Sequence, residues 1–110
     1  MKSISLGSFE EIVLLTVATL HDEAYGVIIR QEIESRLSKK VSISALQTSL
    51  RRLEDKGYLE SEFGEATAIR GGKRKRYFKI TAYGIKALKT TKEVRLQLWN
   101  SIPQYLLEFK

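Results

Sequence analysis

The sequence predicts a mainly α-helical fold with one small β-hairpin. Three segments before Gly57 repeat apolar residues at helical spacing, two short alternating runs flank the pair Gly71-Gly72, and helical spacing returns from Ala82 onward. The order is therefore three helices, a hairpin and a long closing helix, which is the order of a winged helix-turn-helix followed by a long C-terminal helix. In a chain of 110 residues, we expect the winged helix-turn-helix over residues 1–84 and a C-terminal dimerisation helix and tail over residues 85–110.

Two apolar helices are predicted first. Ser8, with Glu11 three residues later, forms a capping-box pattern ahead of the apolar residues 12–20, which predicts a helix in the middle of the core. A second helix is predicted over residues 24–37. Its inward face carries an apolar residue at every fourth position, namely Tyr25, Ile29, Ile33 and Leu37.

The third helix combines an apolar stripe with a polar, basic face. It is predicted to begin at Ser42 or Ser44, where Ser44 and Gln47 form another capping-box pattern, and to end at Gly57. Leu46, Leu50 and Leu53 form the inward stripe. At 100° per residue, Gln47 lies on the flank of that stripe and four side chains point away from it, namely Ser44, Thr48, Arg51 and Arg52.

The hairpin is predicted from strands at residues 58–64 and 75–81. Leu59 and Phe63, then Phe78 and Ile80, alternate with polar residues as in half-buried strands. About ten residues separate the strands, so the tip should protrude. It carries four consecutive cations, Lys73, Arg74, Lys75 and Arg76.

The last helix is predicted from Ala82 to about Ile102, and Pro103 should kink or end it. Its apolar residues fall on two sides, so that one side can rest on the domain while the other needs a partner. The first side consists of Ile85, Leu88, Leu96, Trp99 and Ile102, and the second of Val94, Leu98 and Tyr105.

Charge and composition narrow the function. Residues 1–69 hold 8 Lys and Arg against 11 Asp and Glu, whereas residues 70–110 hold 11 against 2, so the positive charge is local and favours a polyanionic partner. With one histidine, no cysteine, no clustered carboxylates and no phosphate-binding loop, we expect neither an enzyme nor a metal or cofactor site. The lack of cysteine suits a reducing cytoplasm, and the apolar residues 12–20 are too few to span a membrane.

These features together favour double-stranded DNA as the partner. The third helix of a winged helix-turn-helix enters the major groove, where arginine can contact guanine or phosphate in bidentate fashion. The cations of the hairpin tip suit contacts to the DNA backbone, which add affinity but little sequence information. Two alternatives remain: a winged-helix protein-interaction module without DNA binding, and an RNA binder, which would need more aromatic residues within the basic run.

Three segments resemble the PadR family of bacterial transcriptional regulators: FEEIVLLTVATLHDEAYGVIIRQEIE, VSISALQTSLRRLEDKGYLES and GGKRKRYFKITAYGIKAL. The resemblance covers about residues 6–90. It implies a homodimer that binds a palindromic operator, usually as a repressor released by a small molecule. Gln47 stands where the family commonly has a DNA-contacting tyrosine, and the positions that match the family's DNA contacts are Ser42, Ser44, Thr48, Arg51, Lys73, Arg74 and Arg76.

The C-terminal region is similar to that of compact family members, in which the last helices of two subunits pack together. The resemblance implies that a small hydrophobic or aromatic effector binds at the centre of such a dimer. Trp99 either stacks on that effector or anchors the dimer interface, and we favour the second interpretation. The residues expected at the effector site or the interface are Leu88, Leu96, Trp99 and Ile102.

Overall fold

A computed structural model describes residues 6–64 and 74–108. Three helices, a hairpin, a long fourth helix and a short final helix follow one another, and a 3-10 turn at His21–Glu23 follows the first helix. The elements are α1 Ser8–Leu20, α2 Gly26–Leu37, α3 Ile43–Asp55, β1 Leu59–Phe63, β2 Arg76–Ile80, α4 Ala82–Asn100 and α5 Gln104–Leu107. This order confirms the predicted fold class.

Helix α1 crosses the centre of the core, as its apolar sequence predicts. Val13, Leu14 and Val17 are fully or almost fully buried, and α1 contacts α2, α3, α4 and β2. The predicted stripes of α2 and α3 are buried against it, including Ile29, Ile33 and all three leucines of α3.

The predicted cap of α1 is wrong by one residue, whereas at α3 the structure confirms Ser42, one of the two predicted starts, and not the capping box of Ser44 and Gln47. Gly7 rather than Ser8 precedes α1, and the Glu10 carboxylate, not that of Glu11, accepts a hydrogen bond from the Gly7 amide at 3.0 Å. At α3 the hydroxyl of Ser42, not that of Ser44, accepts from the Ala45 amide at 3.2 Å. Neighbouring residues of the same chemical type offer several capping patterns, and tertiary packing selects one of them.

The predicted start of α2 at Ala24 is also wrong. Ala24 is fully buried, and its carbonyl accepts a hydrogen bond from the Phe78 amide at 2.8 Å. Tyr25 has extended backbone angles and forms a bridge with Tyr77, so it joins the edge of the hairpin instead of the helix. Helix α2 therefore begins at Gly26.

The hairpin pairs β1 with β2 in antiparallel register, from Leu59 opposite Ile80 to Phe63 opposite Arg76. Leu59 and Phe78 are buried as predicted, whereas Phe63 is 59% exposed because it lies where the hairpin extends beyond the core. The part of the predicted tip that contains Gly71, Gly72 and Lys73 lies outside the described residues.

Helix α4 follows directly from β2. Thr81 caps it, with its hydroxyl accepting from the Gly84 amide at 2.9 Å. The helix ends at Asn100, two residues earlier than predicted, because Ile102 precedes a proline and avoids helical angles. The division expected at residue 84 falls inside α4 and stays a prediction. Within the described residues, no helix is long and apolar enough to cross a membrane.

Candidate nucleic-acid interface

Helix α3 presents polar side chains to solvent along most of its length. Ser44, Gln47 and Arg51 are exposed, and Thr48 is half-buried. Ser42 ends the preceding loop, and its hydroxyl lies 3.0 Å from that of Ser44. Two hydroxyls and an amide at the start of an exposed helix can donate to phosphate oxygens or to base edges.

A groove of about 800 Å³ lies between α3, the start of α2 and the hairpin. We call it the wing groove. It brings Gln47 and Arg51 of α3 to the same depression as Lys75 and Arg76 of the hairpin. Its lining consists of Tyr25, Gly26, Val27, Gln47, Leu50, Arg51, Glu54, Asp55, Lys75, Arg76 and Phe78.

Three of the four cations predicted at the hairpin tip are described, and they differ in their surroundings. The Arg74 Nε donates to the Gly64 carbonyl at 2.9 Å, and the Lys75 ammonium lies 4.3 Å from the centre of the Tyr25 ring. Tyr25 in turn meets the Tyr77 ring edge to face at 5.5 Å. Lys73, the fourth predicted cation, lies outside the described residues.

Arg76 makes polar contacts within the protein. Its Nη2 lies 3.1 Å from Glu54 Oε1, and its Nε donates to the Ser61 hydroxyl at 2.9 Å. Neither Glu54 nor Ser61 was predicted as a site residue. Arg76, the partner of both, lies 22 positions after Glu54 and 15 after Ser61, so helical periodicity cannot indicate these contacts.

Arg52 lies on the other flank of α3 from Arg51. It is exposed and lines a cleft beside the start of α1, together with Glu10 and Lys56. The structure thus separates the two neighbouring arginines: Arg51 belongs to the wing groove and Arg52 does not.

The pKa of Glu10, in that cleft, is shifted from its ordinary value. Burial opposes its ionisation, but the hydrogen bond from the Lys56 ammonium at 2.7 Å and the one from the Gly7 amide outweigh that effect. The positive charges of Lys56 and Arg52 add to them, so the pKa of Glu10 falls below its ordinary value. The ionised form of Glu10 therefore links α1 to the end of α3.

A second groove, of about 650 Å³, lies between α1 and α4. We call it the C-terminal groove. Three of the four residues predicted for the effector or dimer site line it, but Ile102, beyond the end of α4, does not. The lining of the C-terminal groove consists of Glu11, Leu15, Ile85, Leu88, Lys89, Lys92, Arg95, Leu96 and Trp99.

A bidentate ion pair joins the two helices beside this groove. The Arg95 guanidinium donates to the Glu11 carboxylate at 2.7 and 3.2 Å. The other half of the groove is apolar and open, since Leu96 is half exposed and Trp99 is 58% exposed. In the described parts of the chain, no three His, Cys, Asp or Glu side chains are grouped to hold a metal ion.

Comparison with known proteins agrees with this geometry. The model of the transcriptional regulator PadR-like family matches residues 14–90. No curated protein matches the chain.

Several solved structures have the same fold. A PadR-like transcription factor from Bacteroides fragilis shares 26% identity, with a TM-score of 0.71 over 86% of this chain and 85% of its own. A transcriptional regulator from Clostridium thermocellum shares 27% identity, with a TM-score of 0.65 over 91% of this chain and 90% of its own. The protein smu.1704 from Streptococcus mutans shares 27% identity, with a TM-score of 0.69 over 97% of this chain and 92% of its own.

Proposed function

Because the chain belongs to the PadR-like family of transcriptional regulators, which are DNA-binding proteins and not enzymes, we propose that it is a homodimeric repressor that recognises a palindromic operator. One observation carries the proposal: Gln47 and Arg51 of α3 line the same groove as two cations of the hairpin, Lys75 and Arg76. A double helix seated there offers base edges to α3 and phosphates to the hairpin.

The contacts divide into two kinds. Gln47 and Arg51 contact bases, since glutamine matches the edge of adenine and arginine that of guanine. Ser42, Ser44, Thr48 and Arg52 contact phosphates beside the major groove, and Lys73, Arg74 and Lys75 contact the flanking backbone.

The two arginines of α3 supply a matched pair of variants. We expect Arg51→Ala to cost about 1–3 kcal/mol on the preferred duplex and to relax the choice of one base pair. Arg52→Ala should weaken binding to all duplexes alike. The measurement is selection of duplexes from a random-sequence pool, followed by titration of the enriched sequence and a scrambled one. Equal loss on both duplexes with Arg51→Ala would contradict base recognition by Arg51.

The exposed apolar residues of α4 support a dimer. Leu96 and Trp99 on one side of α4 and Val94 and Leu98 on the other are all about half exposed or more in the single chain, and exposed apolar residues grouped in this way normally meet a partner. A second copy of α4 covers them in our proposal, which places two α3 helices at half-sites about 34–36 Å apart.

Sedimentation equilibrium tests the dimer. The wild type should have twice the chain mass of 12.6 kDa, and Leu98→Glu should shift it toward the monomer. Gln97→Glu, which introduces the same charge on the polar side of α4, should leave the dimer intact. A monomeric wild type at micromolar concentration would contradict this part of the proposal.

The effector in our proposal is a small, planar, hydrophobic compound bound at the C-terminal groove of the dimer. Leu15, Ile85 and Leu96 supply apolar walls there, and Trp99 supplies a ring for stacking. Trp99 is the only tryptophan of the chain, so its fluorescence reports binding directly. We expect quenching by planar aromatic compounds and weaker DNA binding in their presence; an unchanged signal across a broad panel would contradict the effector.

A further inference from the structure

Three polar side chains connect the hairpin to α3 in a closed triangle. Arg76 of β2 donates to Ser61 of β1 and pairs with Glu54 of α3, at 2.9 and 3.1 Å. The Ser61 hydroxyl donates to the second Glu54 oxygen at 2.7 Å, which closes the triangle. Each corner belongs to a different element, so the contacts fix both strands relative to the helix.

Aromatic rings hold the Arg76 guanidinium further. Its central carbon lies 5.8 Å from the centre of the Phe63 ring and 5.6 Å from that of the Phe78 ring. A guanidinium donates in a rigid planar fork, so two hydrogen bonds and two ring contacts define its orientation. The Nε and Nη2 of Arg76 therefore both have protein partners, whereas the ammonium of the neighbouring Lys75 lies over the Tyr25 ring.

Glu54 has an unusual position for an acidic residue. It lines the wing groove, where in our proposal phosphates approach, and a carboxylate there repels them. The charge of Arg76 offsets that repulsion at 3.1 Å. Because both side chains are partly exposed, the pair contributes little to the stability of the fold, and its geometry matters more than its strength.

We propose that the Glu54–Ser61–Arg76 triangle sets the position of the hairpin relative to α3, and that Arg76 is a positioning residue for DNA recognition rather than a phosphate contact. This inference rests on the proposed function. It gives Glu54 and Ser61 a role that the sequence does not predict. It also changes the role of Arg76, whose place in the basic run predicts a contact to the DNA backbone. If the hairpin is misplaced, base contacts and backbone contacts no longer form together. The protein then loses its preference for one sequence more than it loses its affinity for DNA of any sequence.

The test compares two duplexes of equal length: one selected by the wild-type protein from a random-sequence pool, and one of scrambled sequence. Glu54→Gln removes a charge and weakens the triangle, whereas Glu62→Gln removes a charge from an exposed residue of β1 that adjoins Ser61. Both variants should bind the scrambled duplex slightly more tightly. Only Glu54→Gln should lower the ratio of the two affinities, by about tenfold, the loss typical of one hydrogen bond to a charged group.

Ser61→Ala tests the geometry of the triangle without changing the charge of the protein. It changes no charge, so the slope of log affinity against log salt concentration should stay at the wild-type value while the affinity ratio falls about threefold. Arg76→Ala should lower the ratio as Glu54→Gln does, and should also leave the slope unchanged.

The opposite pattern would overturn the inference. If Arg76→Ala reduces the salt slope by about one unit and the Glu54 and Ser61 variants keep the wild-type ratio, Arg76 is a direct phosphate contact. Failure of the wild type to enrich any duplex would instead refute the proposed function, so the two failures are distinguishable.

Discussion

Glu10 shows how one charged residue connects two helices. The residue is only 8% exposed, and its carboxylate accepts from the Gly7 amide at the start of α1 and from the Lys56 ammonium at the end of α3. The hydrogen bonds and positive charges outweigh the burial, so the pKa of Glu10 is lower in the folded state than its ordinary value of 4.5. A lowered pKa means that the ionised group stabilises the fold at neutral pH.

Replacing this carboxylate by an amide should give a pH-dependent loss of stability. Glu10→Gln keeps an acceptor for Gly7 but removes the charge, and partial exposure of Lys56 reduces the usual cost of a broken buried pair to about 1–2 kcal/mol at pH 7. Because the folded pKa is lowered, this contribution is present above pH 4.5 and is lost as the pH falls through the folded value.

Urea denaturation at pH 7 and at pH 3.5 measures the effect. The difference between wild type and Glu10→Gln should shrink at the lower pH. Glu23→Gln, at an exposed residue, serves as the control and should change stability little at either pH. A difference that is the same at both pH values would show that the charge of Glu10 is not the cause.

At the scale of elements, the packing of α4 against the hairpin depends on the close approach of Gly84 to Tyr58 and Ile80. A Cβ on Gly84 would lie 2.3 Å from the Tyr58 carbonyl oxygen and 2.7 Å from an Ile80 side-chain carbon. The Tyr58 oxygen also accepts from the Thr81 amide at 3.0 Å, so it is held in place by the turn that starts α4. Only a residue without a side chain permits this packing.

Gly84→Ala should therefore destabilise the protein by about 1–3 kcal/mol, the usual cost of forcing an extra methyl group into a packed site. Gly26→Ala is the matched control, because a Cβ at Gly26 meets no atom within 4 Å. That variant should be unchanged or up to about 1 kcal/mol more stable. The melting temperatures of both variants measure these effects, and an unchanged Gly84→Ala would refute the tight packing of α4.

The sequence predicts the elements of this fold better than their ends. Apolar periodicity identifies the helices and the inward leucines of α3, because that pattern is local. The contacts of Ala24 and Tyr25 with β2 escape prediction because they join residues more than fifty positions apart in the sequence. The exposure of Phe63 is not predicted for a related reason. The alternation of apolar and polar residues indicates a strand, but not how far the strand extends beyond the core.

At the scale of the molecule, two consecutive carboxylates join the main functional parts. Glu10 pairs with Lys56 at the end of α3, and Glu11 pairs with Arg95 of α4. The first turn of α1 thus contacts both the helix proposed to read DNA and the helix proposed to form the dimer. Neither pair is visible in the sequence, because each joins residues more than forty positions apart.

The site as a whole is predictable in outline only. The strong positive charge of the second part of the chain and the polar face of α3 indicate a DNA-binding surface from sequence alone. How the cations are divided depends on the three-dimensional packing. Arg51 lines the wing groove, Arg52 lies beside α1, and Arg76 is paired with Glu54.

The salt dependence of DNA binding tests the central claim most directly. The duplex enriched from a random-sequence pool is titrated with the protein at salt concentrations from 50 to 200 mM, with fluorescence anisotropy as the signal. A dimer that makes about 6–10 phosphate contacts should lose on the order of 10³–10⁵ in affinity over this range. An affinity that does not change with salt, or the absence of any enriched duplex, would contradict the account.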